Sequence, residues 1–336
     1  MILKRPSILT LTLLLLAIMA LVLTSCSAHD PQNTLASAGI VAKKQEDLFW
    51  LIFWWAAGVF VVVELLLLFV VLRFRRQPGQ GIPTQTHGNT RMEIAWTIAP
   101  ALVLVSIGIP TISTIWDLAT PPAVAMQVKV VGHQWWWEFQ YPEIGIVTAN
   151  ELHIPVGETV NFALESGDVI HSFWVPKLGG KQDAVPSHSN PLWLRADSPG
   201  MYYGQCAELC GIQHAQMRFR VIAQPRSEFD DWARAQRTPP AAASGEAARG
   251  AQIFATNACI GCHTIEGTPG VGKTGPNLTH FGSRTTLASA ILQNTPENLA
   301  KWLRNPQAVK EGALMPNLNL SEDQVSGLVA YLQSLK

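Results

Sequence analysis

Two long apolar segments in the first third of this chain restrict what it can fold into. Leu48 to Leu72 contains one ionisable residue, Glu64, and Ile94 to Leu118 contains none before Asp117. A helix of roughly 20 apolar residues crosses a hydrocarbon core of about 30 Å, and each segment is long enough to do so. The sequence therefore predicts a transmembrane hairpin over residues 42–120, embedded in a lipid bilayer.

The charge between the two segments predicts the orientation of the hairpin. The connecting loop carries Arg73, Arg75, Arg76 and Arg91, and no acidic residue precedes Glu93. Short loops rich in Arg and Lys remain on the cytoplasmic side of a membrane. We therefore expect everything after residue 118 to lie on the outer face.

Two carboxylates in the hairpin require an interpretation. A carboxylate at membrane depth is costly and marks a functional site by default. For Glu64 we favour burial against a neighbouring subunit instead. Glu93 lies at the cytoplasmic end of the second segment, where the simplest interpretation is a hydrated interface residue.

The amino terminus has the three parts of a secretory signal peptide over residues 1–25. Lys4 and Arg5 precede an apolar run that is short for a membrane span. The run ends in "LTSC", which resembles a bacterial lipoprotein box in which the cysteine, Cys26, is lipidated. An uncleaved membrane helix is the alternative. This pattern predicts a location in the inner (plasma) membrane of a bacterial cell.

The charge composition argues against nucleic acid as a partner, and the cysteine spacing indicates a metal or a cofactor. Lys and Arg total 24, as do Asp and Glu, so the formal net charge is zero. Nucleic acid binding needs a basic surface, and we therefore expect no nucleic acid partner. Four of the five cysteines form one Cys-x3-Cys and one Cys-x2-Cys pair. Such pairs indicate metal binding or cofactor attachment rather than a disulfide framework.

Residues 122–224 have the pattern of a small all-β domain. Alternating stretches such as "MRFRVIA" and "ELHIPVGETVNFAL" are broken by Gly and Pro, as in β-sandwiches and barrels. The stretch "QCAELCGIQHAQM" comes just before the last alternating strand. Its metal-ligating side chains are therefore expected on turns whose ends are held by the sheet.

The side chains of this stretch indicate a metal site. Cys206, Cys210 and His214 lie within it, and His171 lies earlier in β surroundings. Two thiolates and two imidazoles suit zinc in a closed tetrahedral site, and they also suit copper. Met217 favours copper, for which a thioether is a weak axial ligand, although a core methionine is the simpler interpretation of that residue alone. Two sulfurs bridging two copper ions would explain the second thiolate.

Four motifs together resemble a known family. "MEIAWTIAP", "GHQWWWEF", "DVIHSFWVP" and "CAELCGIQHAQM" look like subunit II of the haem–copper cytochrome c oxidases. The resemblance runs from about Ala42 to Ala223. It implies a cupredoxin-like barrel carrying the dinuclear copper centre CuA. Cys206 and Cys210 would bridge the two coppers, with His171 and His214 as terminal ligands.

The same resemblance implies roles for further residues. Met217 would be the weak ligand of one copper, and the backbone carbonyl of Glu208 would serve the other. The Glu208 side chain would point to a magnesium ion shared with subunit I. Trp135, the first of three consecutive tryptophans, would accept electrons at the docking face, and Glu93 would admit protons to a channel through subunit I. Ser187 stands where the family usually has glycine.

A haem attachment signature follows the β domain. Residues 225–247 include the Ala- and Pro-rich stretch "TPPAAASG" and are predicted as a linker. In residues 248–336, "CIGCH" supplies Cys259 and Cys262 for two thioether bonds and His263 for the iron. A redox dithiol or half of a zinc site is the alternative. The adjacent histidine and the outer location favour covalent haem c.

The second axial ligand of such a haem is a methionine or a histidine. The turn "GALMPNL" favours Met315 and resembles the class I cytochrome c pattern, so we interpret His280 as a solvated loop residue. Pro276, in "KTGPNL", resembles the loop that supports the proximal histidine. Helices with caps at Thr295 and Ser321 follow from the capping rules, and the domain is expected to be small and all-α.

The combined resemblance is to caa3-type terminal oxidases, in which a cytochrome c is fused to subunit II. It implies three parts: a two-helix transmembrane hairpin, an all-β cupredoxin-like barrel and an all-α class I cytochrome c domain. Electrons from cytochrome c, or from the chain's own haem c, would pass through CuA to haem a of subunit I, where haem a3 and CuB reduce oxygen. Subunit III and a cytochrome bc1 donor complex are the other expected partners. The fusion would keep the donor at a high effective concentration.

Two other functions remain open at this point. One is a CuA-containing subunit of a nitric oxide reductase. The other is a membrane copper-binding protein that is not part of an enzyme.

Overall fold

The computed structural model describes residues 8–23, 30–76, 79, 81–82, 84–123 and 125–336. Residues 43–123 form one unit, and the described residues before and after them form the other. Helix α1 (Ile8–Leu23) covers the apolar run of the predicted signal peptide. Cys26, the predicted lipidation site, lies outside the described residues.

Both predicted transmembrane segments are helical. They are α2 (Ile40–Arg73) and α3 (Thr90–Ala119), and each is long and apolar enough to cross a membrane. The Asn89 side chain caps α3 by accepting hydrogen bonds from two amides of its first turn. Lys44 near the start of α2 forms an ion pair with Asp117 near the end of α3. The two helices therefore run antiparallel, as a hairpin requires.

The segment after the hairpin forms a nearly closed β-barrel. Its neighbouring strands follow the order β3-β2-β1-β5-β7-β6-β9-β10-β4, and β8 also pairs with β5. Pairing is antiparallel except at β1–β5, β5–β7 and β4–β10. The ten strands are β1 (Met126–His133), β2 (Trp136–Tyr141), β3 (Ile146–Ala149), β4 (Glu151–Pro155), β5 (Val160–Ser166), β6 (His171–Trp174), β7 (Gln182–Pro186), β8 (Asn190–Leu194), β9 (Gly200–Cys206) and β10 (Arg218–Gln224).

Alternate residues of these strands fill the barrel with aromatic rings. Phe173 stacks on Phe219 with ring centroids 4.6 Å apart, and Trp137 meets both rings edge-on. All three are fully buried. This packing fixes the strands on both sides of the turn that contains Cys210 and His214.

The β7–β8 turn contains the residue that departs from the family pattern. Ser187 has a φ of 63°, in the left-handed region that favours glycine. The family's usual glycine is thus explained by the backbone conformation, which serine adopts here.

Residues 225–247, predicted as a linker, are in part helical. Helix α4 (Arg226–Arg237) covers half of that segment, so the irregular connection is limited to residues 238–245. Phe229 is buried, and the indole of Trp232 stacks on His153 with ring centroids 4.2 Å apart. The helix forms because its apolar residues recur at helical spacing and cover the barrel wall.

The remainder of the chain is a small, mainly helical domain with one short hairpin. Its core contains Phe254, Leu299, Leu328 and Tyr331. A Cβ on Gly250 would lie 1.9 Å from the carbonyl oxygen of Gly327, so this crossing of two helices requires glycine. The elements are α5 (Glu246–Thr256), α6 (Cys259–Cys262), β11 (Thr286–Leu287), β12 (Leu292–Gln293), α7 (Pro296–Arg304), α8 (Pro306–Val309) and α9 (Glu322–Ser334).

Two sequence predictions for this domain are confirmed and one is wrong. Thr295 caps α7, and Ser321 forms a capping box with Gln324 at the start of α9. His280, interpreted as a solvated residue, is only 6% exposed. Its ring lies beside the backbone of the carboxyl-terminal residue, and burial lowers its pKa.

Candidate functional site

The turn between β9 and β10 and the start of β6 bring the predicted metal ligands together. Cys206 ends β9, and the amide of Cys206 donates to the carbonyl of Met217 (2.9 Å), which closes the loop. Cys210 lies within the loop, and His214 begins a short 3-10 turn. His171 opens β6, which pairs with β9. Neighbouring strands thus hold the two ends of the ligand set.

The sulfur and nitrogen atoms lie at the distances expected for atoms that share a metal. The two thiol sulfurs of Cys206 and Cys210 are 3.7 Å apart. The Cys206 sulfur is 3.9 Å from Nδ1 of His171, and the Cys210 sulfur is 3.8 Å from Nδ1 of His214. Bonds of about 2.0–2.3 Å in a tetrahedral site separate two ligand atoms by roughly 3.3–3.8 Å.

Two further atoms complete the set. Sδ of Met217 lies 3.8 Å from the Cys210 sulfur, and the carbonyl oxygen of Glu208 lies 3.2 Å from the Cys206 sulfur. The Met217 side chain is fully buried, whereas the Glu208 side chain is exposed. The arrangement offers two overlapping ligand sets with both thiols in common, a donor set that suits two soft metal ions.

The contact between the two thiols shifts their pKa values in opposite directions. Hydrogen bonding from Cys210, aided by His171, lowers the pKa of Cys206 to about 3. The same contact raises the pKa of Cys210. A bound metal cation would displace the remaining proton, because thiolates are the ligating form.

Asp168 orients the imidazole of His171. Nε2 of His171 donates to Oδ1 of Asp168 (2.8 Å), so the lone pair of the ring is on Nδ1, the atom that faces Cys206. The His171 ring is completely buried. Burial opposes its positive charge, but the hydrogen bonds to Asp168 and Cys206 outweigh burial and raise the pKa of His171.

Trp135 contacts the metal-binding loop directly. Its Nε1 donates to the carbonyl of Cys210 (3.0 Å), and Nε2 of Gln134 donates to the same oxygen (2.8 Å). Trp136 and Trp137 are buried, whereas Trp135 is half-buried. Of the three tryptophans, Trp135 alone precedes β2 and lies on this loop.

The second candidate site is a cavity lined mainly by the carboxyl-terminal domain, with Trp135 and neighbouring barrel residues on one side. Cys259, Cys262, His263 and Met315 all line it, together with apolar side chains of the domain core. Nδ1 of His263 lies 2.8 Å from the carbonyl of Pro276, so Nδ1–H is the donor and Nε2 remains for a metal ion. Burial lowers the pKa of His263 and keeps the ring neutral, the form that ligates.

Two details of this cavity fit a covalently bound porphyrin. A Cβ on Gly275 would lie 2.6 Å from the His263 ring, so only glycine lets the supporting loop come this close. Arg284 also lines the cavity, and its buried Nε finds no hydrogen-bond acceptor among the described residues. Burial lowers the pKa of Arg284 to about 10, which leaves it cationic at neutral pH. A cation with a vacant donor suits an anionic substituent at the porphyrin edge.

Some predicted site residues lie apart, and some contacts were not predicted. Glu93 is in the first turn of α3, within the hairpin unit, and is exposed. Asp168, Arg284 and Lys310 were missed. Asp168 had a detectable signal, since a carboxylate three residues before a candidate ligand is a common partner for it. Lys310 had none, because its contacts depend on how two domains meet.

Comparison with protein-family models divides the chain into three matched regions. The model for "Cytochrome C oxidase subunit II, transmembrane domain" matches residues 27–114. The model for "Cytochrome C oxidase subunit II, periplasmic domain" matches residues 145–224, and that for "Cytochrome c" matches residues 247–336.

Two relatives align with nearly the whole chain. The chain is 41% identical over 330 residues to cytochrome c oxidase subunit 2 of Alkalihalophilus pseudofirmus, which covers 96% of each chain. It is 41% identical over 350 residues to cytochrome c oxidase subunit 2 of Bacillus sp. strain PS3, again with 96% of each covered. Among solved structures, it resembles the periplasmic domain of subunit II of cytochrome oxidase from Bradyrhizobium japonicum. That match has 31% identity and a TM-score of 0.34, and covers 35% of this chain and 97% of the other.

Proposed function

This chain belongs to the cytochrome c oxidase subunit II family, in its form with a fused cytochrome c domain, and from that premise we propose a specific relay. The chain is membrane-anchored, is part of a haem–copper oxidase with subunit I, and is of a family that implies copper and haem c. When bound, haem c and a dinuclear copper centre supply one-electron carriers between a cytochrome c donor and haem a of subunit I.

The observation that carries this proposal is the ligand turn itself. Two thiols 3.7 Å apart, each within 4 Å of an imidazole Nδ1, form a set that one metal ion cannot use fully. A single tetrahedral ion has four positions, whereas this turn together with His171 on β6 presents two thiol sulfurs, two imidazoles, a thioether and a carbonyl. Two copper ions with both sulfurs in common would use all six.

The protein's own residues keep this set rigid. Asp168 fixes the His171 tautomer, and the barrel core fixes the strands that carry the ligands. Met217 and Cys206 are buried, which excludes water from the thiolates. A site that changes little in shape on gaining an electron lowers the reorganisation needed for transfer, and rigid surroundings serve that end.

In the haem cavity, Cys259 and Cys262 would attach the porphyrin, and His263 and Met315 would ligate the iron. Pro276 holds His263 in the tautomer this requires. A methionine ligand raises the reduction potential relative to a second histidine, which suits a donor to a high-potential centre.

Further roles complete the proposal. The exposed carboxylate of Glu208 would hold a magnesium ion shared with subunit I, and Glu93 would admit protons to a channel in that subunit. Trp135 would carry electrons toward the copper loop. Subunit III and a cytochrome c or cytochrome bc1 donor are the other proposed partners. The membrane would be the bacterial inner membrane, with Cys26 lipidated and both soluble domains on its outer face.

Purification of the intact complex tests this function. We expect a haem–copper complex that consumes oxygen with reduced cytochrome c as donor and has little turnover with nitric oxide. Preferred reduction of nitric oxide would assign the chain to a reductase instead. Normal copper binding without electron delivery to subunit I would indicate a copper-binding protein.

A further inference from the structure

The carboxyl-terminal domain touches the barrel at Trp135. The Trp135 carbonyl accepts hydrogen bonds from Oγ of Ser289 (2.6 Å) and Nζ of Lys310 (2.8 Å). Nζ of Lys310 also lies 2.9 Å from Oγ of Ser289. Both side chains belong to the cytochrome c domain, and the tryptophan belongs to the barrel. One residue thus touches the copper-binding loop with its indole and the haem-carrying domain with its backbone.

Lys310 is a buried amine, and its Nζ forms its hydrogen bonds where the cytochrome c domain meets the barrel. It is 4% exposed, and no carboxylate among the described residues forms an ion pair with it. Burial lowers its pKa to about 7. A lysine is rarely buried without a carboxylate unless its hydrogen bonds compensate. Here the compensating acceptor is the Trp135 carbonyl, across the domain boundary.

A second contact uses a buried carboxylate of the barrel. Glu151, on β4, is 2% exposed. It accepts hydrogen bonds from the amide and hydroxyl of Thr285 and of Thr286, at 2.6–3.1 Å. Hydrogen bonds to a charged acceptor are about twice as strong as neutral ones. Because every donor comes from the cytochrome c domain, separating the domains would leave this carboxylate without them.

The loop that makes these contacts has an unfavourable backbone conformation. Ala288, Ser289 and Ala290 are three consecutive residues with φ of 54–61°, and none is glycine. Residues with a Cβ visit this region singly and at a cost. Such outliers persist where surrounding contacts impose them. The surroundings here are the barrel, since Nη2 of Arg220 donates to the Ala290 carbonyl (3.0 Å) and Ser289 is held at Trp135.

We propose that these contacts form an interdomain latch that holds the cytochrome c domain on the barrel in one fixed arrangement. The latch consists of Trp135, Glu151 and Arg220 on the barrel and of Thr285, Ser289 and Lys310 on the cytochrome c domain. The latch itself does not depend on the proposed function. Only its consequence for electron transfer between the two sites rests on that function. The haem cavity and the copper loop remain permanently joined through Trp135, which lines that cavity.

The latch also determines where a separate donor acts. The Trp135 carbonyl and the wall beside it are covered by the chain's own domain, so a soluble donor protein cannot dock on that face. Such a donor must act on the cytochrome c domain. The short connection of residues 238–245 is then a covalent link between docked domains rather than a flexible tether.

Cleavage of the connection in the full-length chain tests the latch. A specific protease site is inserted between Ala241 and Ala242, both exposed. After cleavage of the detergent-solubilised protein, size-exclusion chromatography at about 1 μM measures whether the cytochrome c domain remains bound. We expect it to co-elute with the barrel and hairpin. A cleaved domain that elutes alone would overturn the proposal.

Variants assign the contacts. Glu151→Gln keeps the shape of the side chain but removes its charge and places an NH2 group where the second carboxylate oxygen lies. Lys310→Met removes the two hydrogen bonds of the Lys310 amine. Each should raise the dissociation constant of the cleaved domain roughly tenfold or more. Glu143→Gln and Lys301→Met change exposed residues of the same types and should leave it unchanged. Equal dissociation constants for all four variants would reject the latch.

Copper and haem spectra separate this inference from the proposed function. Both spectra should be retained in every variant, which shows that each domain remains folded. Loss of copper binding in the parent chain would contradict the proposed function while leaving the dissociation measurement valid. A variant that loses its haem spectrum is replaced by Ser289→Ala. We expect this substitution also to raise the dissociation constant of the cleaved domain.

Discussion

Replacing Asp168 by Asn tests how the barrel orients His171, a proposed copper ligand. Oδ1 of Asp168 accepts from Nε2 of His171 (2.8 Å) and from the amide of Val169 (2.7 Å), and Oδ2 accepts from the amide of Gln134 (2.6 Å). Asparagine has one oxygen. If it takes the Oδ1 position, its NH2 group opposes the Gln134 amide; if it takes the Oδ2 position, His171 loses its acceptor.

Either outcome weakens the control of the His171 ring. Loss of such a partner of a metal-ligating histidine costs roughly 10–100-fold in metal affinity. That range corresponds to about 1.4–2.7 kcal/mol. The fixed size of the side chain excludes a cavity as the cause.

Competition between the full-length protein and a copper chelator measures the affinity. We expect Asp168→Asn to bind copper roughly 10–100-fold more weakly and, at saturation, to recover the spectrum of the parent. Asp197→Asn is the matched control, because Asp197 lies on the same barrel and accepts from Arg195 Nε (2.8 Å) but is exposed. An affinity of Asp168→Asn within twofold of the control would refute this role for Asp168.

Three substitutions test the remaining assignments. Met315→Ala should leave haem attached but lower its reduction potential, because the thioether favours ferrous over ferric iron; an unchanged potential in a redox titration would exclude Met315. Cys206→Ser should abolish the EPR pattern of an electron shared by two copper nuclei, and persistence of that pattern would contradict a bridging role. Glu93→Gln should slow proton uptake in the intact oxidase without changing the copper spectrum, and normal turnover would remove Glu93 from the proton path.

The proximity of the proposed ligands on this turn was predictable because these residues are close in the sequence. Cys206, Cys210, His214 and Met217 lie within twelve consecutive residues, and a turn between strands confines them whatever the rest of the chain does. The capped helices at Thr295 and Ser321 were predictable for the same reason, since capping depends on a few neighbouring residues.

The interdomain contacts were not predictable because they are not local. Glu151 lies 134 residues before Thr285, and in "ELHIPVGETV" it has the pattern of a solvent-facing carboxylate. Arg220 alternates with buried residues on β10 as Arg218 does, yet Arg218 is exposed and Arg220 is buried under the second domain. Period-2 patterning distinguishes the two faces of a strand but not what covers the outer face.

Helix α4 was only partly predictable from the sequence. Its sequence "RSEFDDWARAQR" has apolar residues at Phe229, Trp232 and Ala233, the spacing of a helix face. The Pro and Ala run that follows suggested a linker for the whole segment. The helical spacing of the apolar residues was the signal that would have distinguished α4 from the irregular connection of residues 238–245.

The copper content of the full-length chain, purified away from the other subunits, tests the central claim most directly. The account predicts two copper ions per chain and, in the mixed-valence form, an EPR hyperfine pattern from one electron shared by both nuclei. Zinc in place of copper, or one copper ion with the hyperfine pattern of a single nucleus, would contradict it.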